Sequence, residues 1–219
     1  MLLLFYQEDG YYSLTTTGVI LSIAIIAILV ALTAFLTSKS KSETQKKSLF
    51  STKQLVFSAV ALALGFIASY IKVVHMPWGG SATLCSMLFV TLIGYWYGPK
   101  IGLTAGFAYG ILQFIQGGAD YILAFAALGL SGFFYKKANG LLKGYLLAIF
   151  IRGAFHSIGG YLYWMDYMPD SFPKSLAAIY PIAYNYSYIL AEGIVTVIIL
   201  LLPPVKNAMT RVKALAQDS

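Results

Sequence analysis

Long apolar stretches separated by short polar segments dominate the chain. The first stretch runs from Thr17 to Leu36, and a polar segment rich in lysine follows it. Because about 20 apolar residues are enough for a helix to cross the hydrocarbon core of a bilayer, this stretch predicts a transmembrane helix. The later apolar stretches predict six more membrane helices, with these approximate bounds: 54–74, 82–98, 101–116, 120–135, 141–165 and 176–203.

The composition agrees with a membrane location. Of the 219 residues, 59% are hydrophobic and 11% are charged, a balance typical of integral membrane proteins. We therefore predict an all-α integral membrane protein in which a six-helix core follows one extra N-terminal transmembrane helix. The predicted segments are an N-terminal segment with the extra helix (1–38), a basic cytoplasmic linker (39–53), a six-helix membrane domain (54–205) and a cytoplasmic tail (206–219).

The distribution of basic residues predicts the orientation. If the linker is cytoplasmic, twelve of the fifteen basic residues lie on the inner side, and the outer side holds only Lys72 and Lys174 with five acidic residues. This arrangement satisfies the positive-inside rule. We predict a multi-pass protein of the plasma membrane whose N-terminus is outside and whose C-terminus is cytoplasmic. The net charge of +7 is thereby explained by topology, and no nucleic-acid partner is expected.

The sequence lacks the motifs for disulfide formation, metal binding and nucleotide hydrolysis. Cys85 is the single cysteine, so an intrachain disulfide is impossible. The chain contains neither CxxC nor HExxH, which leaves a metal site without support. It also contains no GxxxxGK[ST], so it has no nucleotide-hydrolysing loop of its own. We expect no catalytic residue, no metal and no cofactor.

Polar residues that are energetically unfavourable within a membrane collect in one predicted helix. Four residues recur there at intervals of four: Arg152, His156, Gly160 and Trp164. Such spacing follows one face of a helix, and ionisable residues within a membrane face a cavity or a partner. Asp120 is a candidate partner for Arg152, and Glu192 either pairs with Arg152 or binds a partner protein. Interfacial anchoring for Trp164 and close helix packing for Gly160 are the simpler interpretations.

The predicted topology gathers polar and aromatic residues in the outer half of the membrane. These residues are Trp78, Asp120, Tyr121, His156, Trp164, Tyr180 and Asn185. Aromatic faces attract cations, and a carboxylate fixes a positive charge. The sequence therefore predicts a pocket, open to the outside, that suits a flat heteroaromatic cation.

Several motifs resemble those of the thiamin-specific substrate-binding subunit, the S component, of energy-coupling factor (ECF) vitamin transporters. They are MPWGGSATLCSML, YWYGPKIGLTAGFAYGILQF, DYILAFAALGLSGFF, the H-x3-G-x3-W run at 156–164, and Tyr180 with Asn185. The resemblance covers roughly residues 54–205. It implies a six-helix protein that binds thiamin near the outer surface. It also implies partners, namely a transmembrane coupling subunit and two ATPase subunits that hydrolyse ATP.

The resemblance also implies roles for individual residues. The ligand-binding set would be Trp78, Asp120, Tyr121, His156, Gly160, Trp164, Tyr180 and Asn185. Trp78 would stack on the ligand, Asp120 would take the acidic position that is often glutamate, and Asn185 would hydrogen-bond the aminopyrimidine. Ala59 and Ala63 would form the A-x3-A face that docks on the coupling subunit. The QGGA segment before Asp120 is shorter than the corresponding family segment.

Three alternatives stay open beside the leading prediction of a thiamin-capturing transport subunit. The same fold could bind a thiamin precursor or another vitamin. An intramembrane enzyme could use His156 and Asp120 as acid and base, although no nucleophile motif accompanies them. A purely structural protein would not need polar and aromatic residues to converge at one depth.

Overall fold

The computed structural model describes residues 5–8, 11–14, 17, 50–76, 80–117 and 120–218. The chain divides into two units, Met1–Leu49 and Phe50–Ser219. In the first unit, strands β1 (Phe5–Glu8) and β2 (Tyr11–Leu14) form an antiparallel hairpin. The predicted extra helix at 17–36 lies outside the described residues except for Thr17, and so do linker residues 39–49.

The second unit is a helical bundle. Its helices are α1 (Thr52–Tyr70), α2 (Ser86–Tyr97), α3 (Pro99–Gly117), α4 (Asp120–Ala126), α5 (Gly140–Tyr163), α6 (Tyr180–Leu201) and α7 (Pro203–Gln217). Helix α4 continues as a 3-10 helix, Ala127–Phe134, and two further 3-10 helices, Met165–Tyr167 and Lys174–Ile179, lie between α5 and α6. Strands β3 (Lys72–His75) and β4 (Ser81–Thr83) pair between α1 and α2. The predicted all-helical membrane fold is confirmed.

Three helical stretches of the described chain are long and apolar enough to cross a membrane. They are Thr52–Tyr70, Gly140–Tyr163 and Lys174–Leu201, and Ser86–Tyr97 and Tyr121–Phe134 are shorter apolar helices. Large apolar side chains such as Val60, Ile67 and Phe150 point outward. An outer surface of this kind suits contact with lipid tails rather than with water. The protein is a multi-pass membrane protein.

The first two helices of the bundle are shorter than the sequence pattern predicts. The predicted span 54–74 ends at Tyr70, and the predicted span 82–98 becomes helical at Ser86. Between them, Lys72–His75 and Ser81–Thr83 pair as strands β3 and β4. The sequence pattern missed this, because short apolar strands and helix ends share the same hydropathy pattern. With twelve residues, α2 rises about 18 Å, which is less than the roughly 30 Å of the bilayer core. The helical part of this span is therefore too short to cross the bilayer core by itself.

A row of glycines brings α3 against α4 and its 3-10 extension. The row consists of Gly102, Gly106 and Gly110, spaced by four on α3. A Cβ atom at these positions would lie 2.6 Å from the Gly129 oxygen, 2.6 Å from the Phe125 oxygen and 2.7 Å from the Ile122 Cα. Small residues allow helix backbones to approach this closely. The position of α4, and of the aromatic residues that it carries, depends on this row.

Residues 206–217 of the predicted tail belong to the amphipathic helix α7. On α7, the Lys213 ammonium lies 3.8 Å from the centre of the Tyr95 ring. The Ala216 oxygen accepts a hydrogen bond from the Tyr97 hydroxyl at 3.3 Å. Helix α7 thus packs against the end of α2 that lies opposite the β3–β4 hairpin.

Candidate functional site

Helix α5 supplies one polar wall of the candidate site. His156 is 3% exposed and Arg152 is 8% exposed, and Gly160 is also buried. Trp164 ends the helix, is 43% exposed, and has its ring 5.5 Å from the Tyr167 ring. The predicted spacing thus corresponds to a face that runs from a buried cation to an exposed indole.

An aromatic cluster surrounds the imidazole of His156. The Tyr121 ring of α4 meets it edge-on at 5.1 Å between centroids, and the Tyr188 ring of α6 lies 6.5 Å away. Phe125 extends the cluster, because its ring lies 5.6 Å from Tyr121 and 4.8 Å from Tyr109. Helices α4, α5 and α6 therefore meet at this imidazole, and α3 joins them through Tyr109. We refer to the five residues Tyr109, Tyr121, Phe125, His156 and Tyr188 as the aromatic cluster.

Arg152 lies one turn below His156 on the same helix. Its Cζ atom is 4.2 Å from the centre of the Phe125 ring, a cation–π contact. Within the described part of the chain, its Nε and Nη1 atoms have no hydrogen-bond partner. Asp120, its predicted partner, is the first residue of α4, and its side chain lies outside what the structure describes. The pairing of Arg152 with Asp120 stays a prediction.

Three tyrosines form a ladder along the first half of α6. Tyr180, Tyr184 and Tyr188 are four residues apart, and successive ring centroids lie 5.7 and 6.0 Å apart. The Phe172 ring packs on Tyr180 at 5.0 Å. Since Tyr188 also belongs to the aromatic cluster, the ladder connects the start of α6 to the imidazole of His156.

The amide of Asn185 is held in one orientation. Its Nδ2 atom donates to the Pro181 oxygen at 2.8 Å, and its Oδ1 atom accepts from the Tyr188 hydroxyl at 2.7 Å. A Cβ atom on Gly160 would lie 3.2 Å from Nδ2 and 2.8 Å from the Pro181 Cβ. The absence of a side chain at Gly160 thus lets α5 approach the buried amide. Among the described residues, the structure gives no partner for the second N–H of the amide or for the second lone pair of its oxygen.

Glu192 hydrogen-bonds the residues around the start of α2, a contact that neither sequence hypothesis for Glu192 included. Its buried carboxylate accepts from the Thr83 amide at 2.9 Å, the Thr83 hydroxyl at 2.6 Å, the Met87 amide at 3.1 Å and the Ser86 hydroxyl at 3.3 Å. These donors lie at the end of β4 and at the first turn of α2. The carboxylate therefore caps α2 from a different helix.

The structure brings five of the eight predicted ligand-binding residues into one contiguous region. They are Tyr121, His156, Gly160, Tyr180 and Asn185. Trp164 stands at the exposed end of α5, Trp78 lies outside the described residues, and of Asp120 only the backbone is described. Sequence reasoning did not assign a role to Tyr184, Tyr188 or Phe125. The four-residue spacing of Tyr180, Tyr184 and Tyr188 in the sequence could have predicted the ladder.

The two predicted docking residues lie elsewhere on the bundle. Ala59 and Ala63 are both exposed on α1, four residues apart, whereas Ala61 between them is buried. Because alanine side chains are small, this exposed pair forms a shallow surface that another helix could approach closely. We call it the low surface. As for metals, the described residues contain no group of three or more histidine, cysteine, aspartate and glutamate side chains able to hold an ion.

Three comparisons with known proteins all point to thiamine transporters. The family model described as Thiamine transporter protein (Thia_YuaJ) matches residues 55–212. The chain is 32% identical over 170 residues to "Thiamine transporter ThiT" of Bacillus subtilis, which covers 67% of this chain and 85% of the relative. A solved structure of ThiT from Listeria monocytogenes is 24% identical, covers 69% of this chain and 93% of its own, and superposes with a TM-score of 0.50. At this level of identity, the structural similarity supports the fold alone.

Proposed function

Since the chain belongs to the thiamine transporter protein family, we propose that it is a thiamin-binding S component that captures thiamin from outside the cell. The observation that carries this proposal is the contiguous path from Tyr121 through His156 and Tyr188 to Asn185. Along this path, aromatic rings lie next to the oriented side-chain amide of Asn185. Both features match a ligand that joins a cationic ring to an aminopyrimidine.

The residues divide the recognition of thiamin between them. The aromatic rings around His156 attract the cationic thiazolium ring, a contact of roughly 0.5–2 kcal/mol per ring. Asn185, fixed by Pro181 and Tyr188, offers its second N–H and its oxygen to the aminopyrimidine. In this proposal Trp78 and Trp164 cover the ligand, Tyr180 borders it, and Asp120 balances its charge.

Delivery into the cell requires partners. We assign this step to a transmembrane coupling subunit and two ATPase subunits of the ECF type, the partners that the resemblance of the sequence motifs implies; the chain itself contains no nucleotide-hydrolysing motif. The exposed pair Ala59 and Ala63 on α1 supports a docking face for the coupling subunit. The excess of basic residues in the predicted inner loops supports an external N-terminus and a cytoplasmic C-terminus.

A pair of neighbouring variants tests the binding proposal. His156→Ala removes the imidazole from the aromatic cluster, whereas Ser157→Ala removes a buried hydroxyl that donates to the Gly153 oxygen of its own helix. We expect His156→Ala to weaken thiamin binding about tenfold or more and Ser157→Ala to leave it within about twofold. Isothermal titration of the detergent-purified proteins measures both. Equal affinities for the two variants would refute the assignment of this site.

Transport is tested separately. Cells that produce the chain with the coupling subunit and both ATPases should accumulate labelled thiamin, and an ATPase variant unable to hydrolyse ATP should abolish uptake. Competition with the free aminopyrimidine moiety distinguishes thiamin from a precursor as the ligand. Uptake that continues without the ATPase subunits would contradict the coupled mechanism.

A further inference from the structure

Residues 80–87, which we call the anchored segment, lie along the same face of α6 as the tyrosine ladder. At one end, the Gly80 amide donates to the Tyr184 hydroxyl at 3.3 Å. A Cβ atom on Gly80 would lie 2.8 Å from the Cδ1 and Cε1 atoms of Tyr188, so the backbone passes close to that ring. At the other end, Thr83, Ser86 and Met87 donate to Glu192. The segment is thus fastened to α6 at both ends.

Glu192 holds the inner end of this segment deep in the bundle. It follows Tyr180 by twelve positions on α6, which corresponds to about 18 Å along the helix axis. Backbone that is not helical is tolerated at membrane depth where the protein itself supplies hydrogen-bond partners. The carboxylate supplies acceptors to two amides and to the hydroxyls beside them. Hydrogen bonds of this charge-assisted kind are stronger than neutral ones.

The local backbone explains why the carboxylate is needed there. Cys85, at the junction of the hairpin and α2, adopts a left-handed conformation with φ of 55° and makes no side-chain cap. The first turn of α2 therefore has free amide donors, and the Met87 amide is directed to Glu192 at 3.1 Å. A negative charge at this end of a helix is also favoured by the helix dipole.

Glu192 and the tyrosine ladder belong to one helix, α6. Tyr184, Tyr188 and Glu192 are four residues apart on α6, so they follow one face of the helix. We propose that Glu192 is a positioning residue, which fixes the anchored segment against this face and thereby sets how fast the ligand leaves. Glu192 acts through Thr83 and α2 and does not touch the ligand. This inference rests on the proposed thiamin site.

Two threonine variants test the anchor without ligand. Thr83→Val removes the hydroxyl that lies 2.6 Å from Glu192 and keeps a residue suited to a strand. Thr91→Val, the matched control, removes a buried hydroxyl of α2 that donates to the Leu88 oxygen. Amide hydrogen exchange of residues 84–88 should be about tenfold faster in Thr83→Val and within about twofold of wild type in Thr91→Val. Equal exchange in both variants would overturn the anchor.

Stopped-flow release of thiamin tests the consequence for the ligand. The dissociation rate should rise several-fold in Thr83→Val, and further in Glu192→Gln, while the association rate and the Thr91→Val rates stay near wild type. Faster exchange with an unchanged dissociation rate would reduce Glu192 to a structural cap and overturn the positioning role. If the folded wild-type protein bound no thiamin, the proposed function would fail and the ligand role of Glu192 with it. The exchange comparison would still report the anchor.

Discussion

Gly160 shows how a single missing side chain shapes the site. A Cβ atom there would meet the Pro181 Cβ at 2.8 Å and the Asn185 amide at 3.2 Å. We expect Gly160→Ala to displace the start of α6, with an overpacking cost of about 1–3 kcal/mol. Because the displaced residues hold Asn185, thiamin affinity should fall as well.

Gly193→Ala is the matched control for this change. Its Cβ atom would meet only the mobile end of Ile149, at 2.8 Å, and alanine favours a helix over glycine. Melting temperature and thiamin affinity, measured on both variants, should both decrease for Gly160→Ala and stay near wild type for Gly193→Ala. Similar behaviour of the two variants would show that this contact does not shape the site.

At this scale the sequence predicts which residues are unusual better than it predicts their partners. The four-residue spacing identified the polar face of α5. The partners of Glu192 could not be predicted, since they lie over one hundred positions earlier in the chain. They also depend on a turn of the backbone that no periodicity encodes.

Between elements, the glycine row of α3 sets the position of α4. A Cβ atom on Gly106 would lie 2.6 Å from the Phe125 oxygen, and a backbone atom cannot rotate away as a flexible side chain does. We expect Gly106→Ala to destabilise the protein by about 1–3 kcal/mol. Thr104→Ala, at an exposed position on the same helix, is the control and should be nearly neutral. Thermal unfolding in detergent measures both, and a neutral Gly106→Ala would refute backbone contact between α3 and α4.

Hydropathy predicts the presence and order of the six core helices but not how each one ends. The β3–β4 hairpin and the 3-10 helix Ala127–Phe134 both fall within apolar stretches. A helix, a strand and a 3-10 turn bury similar side chains, so composition alone cannot separate them. The amphipathic pattern of residues 203–217 could have predicted α7, whose contacts with α2 then follow from the fold.

For the whole molecule, capture and coupling should be separable. Ala59→Leu with Ala63→Leu fills the low surface on α1 and should prevent co-purification with the coupling subunit. Thiamin affinity should not change, because both residues are exposed on α1. Val195→Leu enlarges an exposed residue of α6 instead and should leave assembly intact. Assembly that survives the double substitution would place the docking face elsewhere.

The central claim is that the isolated chain binds thiamin, and tryptophan fluorescence tests it most directly. The protein has three tryptophans, and one of them, Trp164, is 43% exposed at the end of the polar face of α5. Titration of the detergent-purified protein with thiamin should give saturable quenching with a submicromolar Kd, and His156→Ala should shift that curve to higher concentration. A wild-type protein that is folded by circular dichroism and monodisperse, yet gives no saturable response to thiamin, would contradict the account.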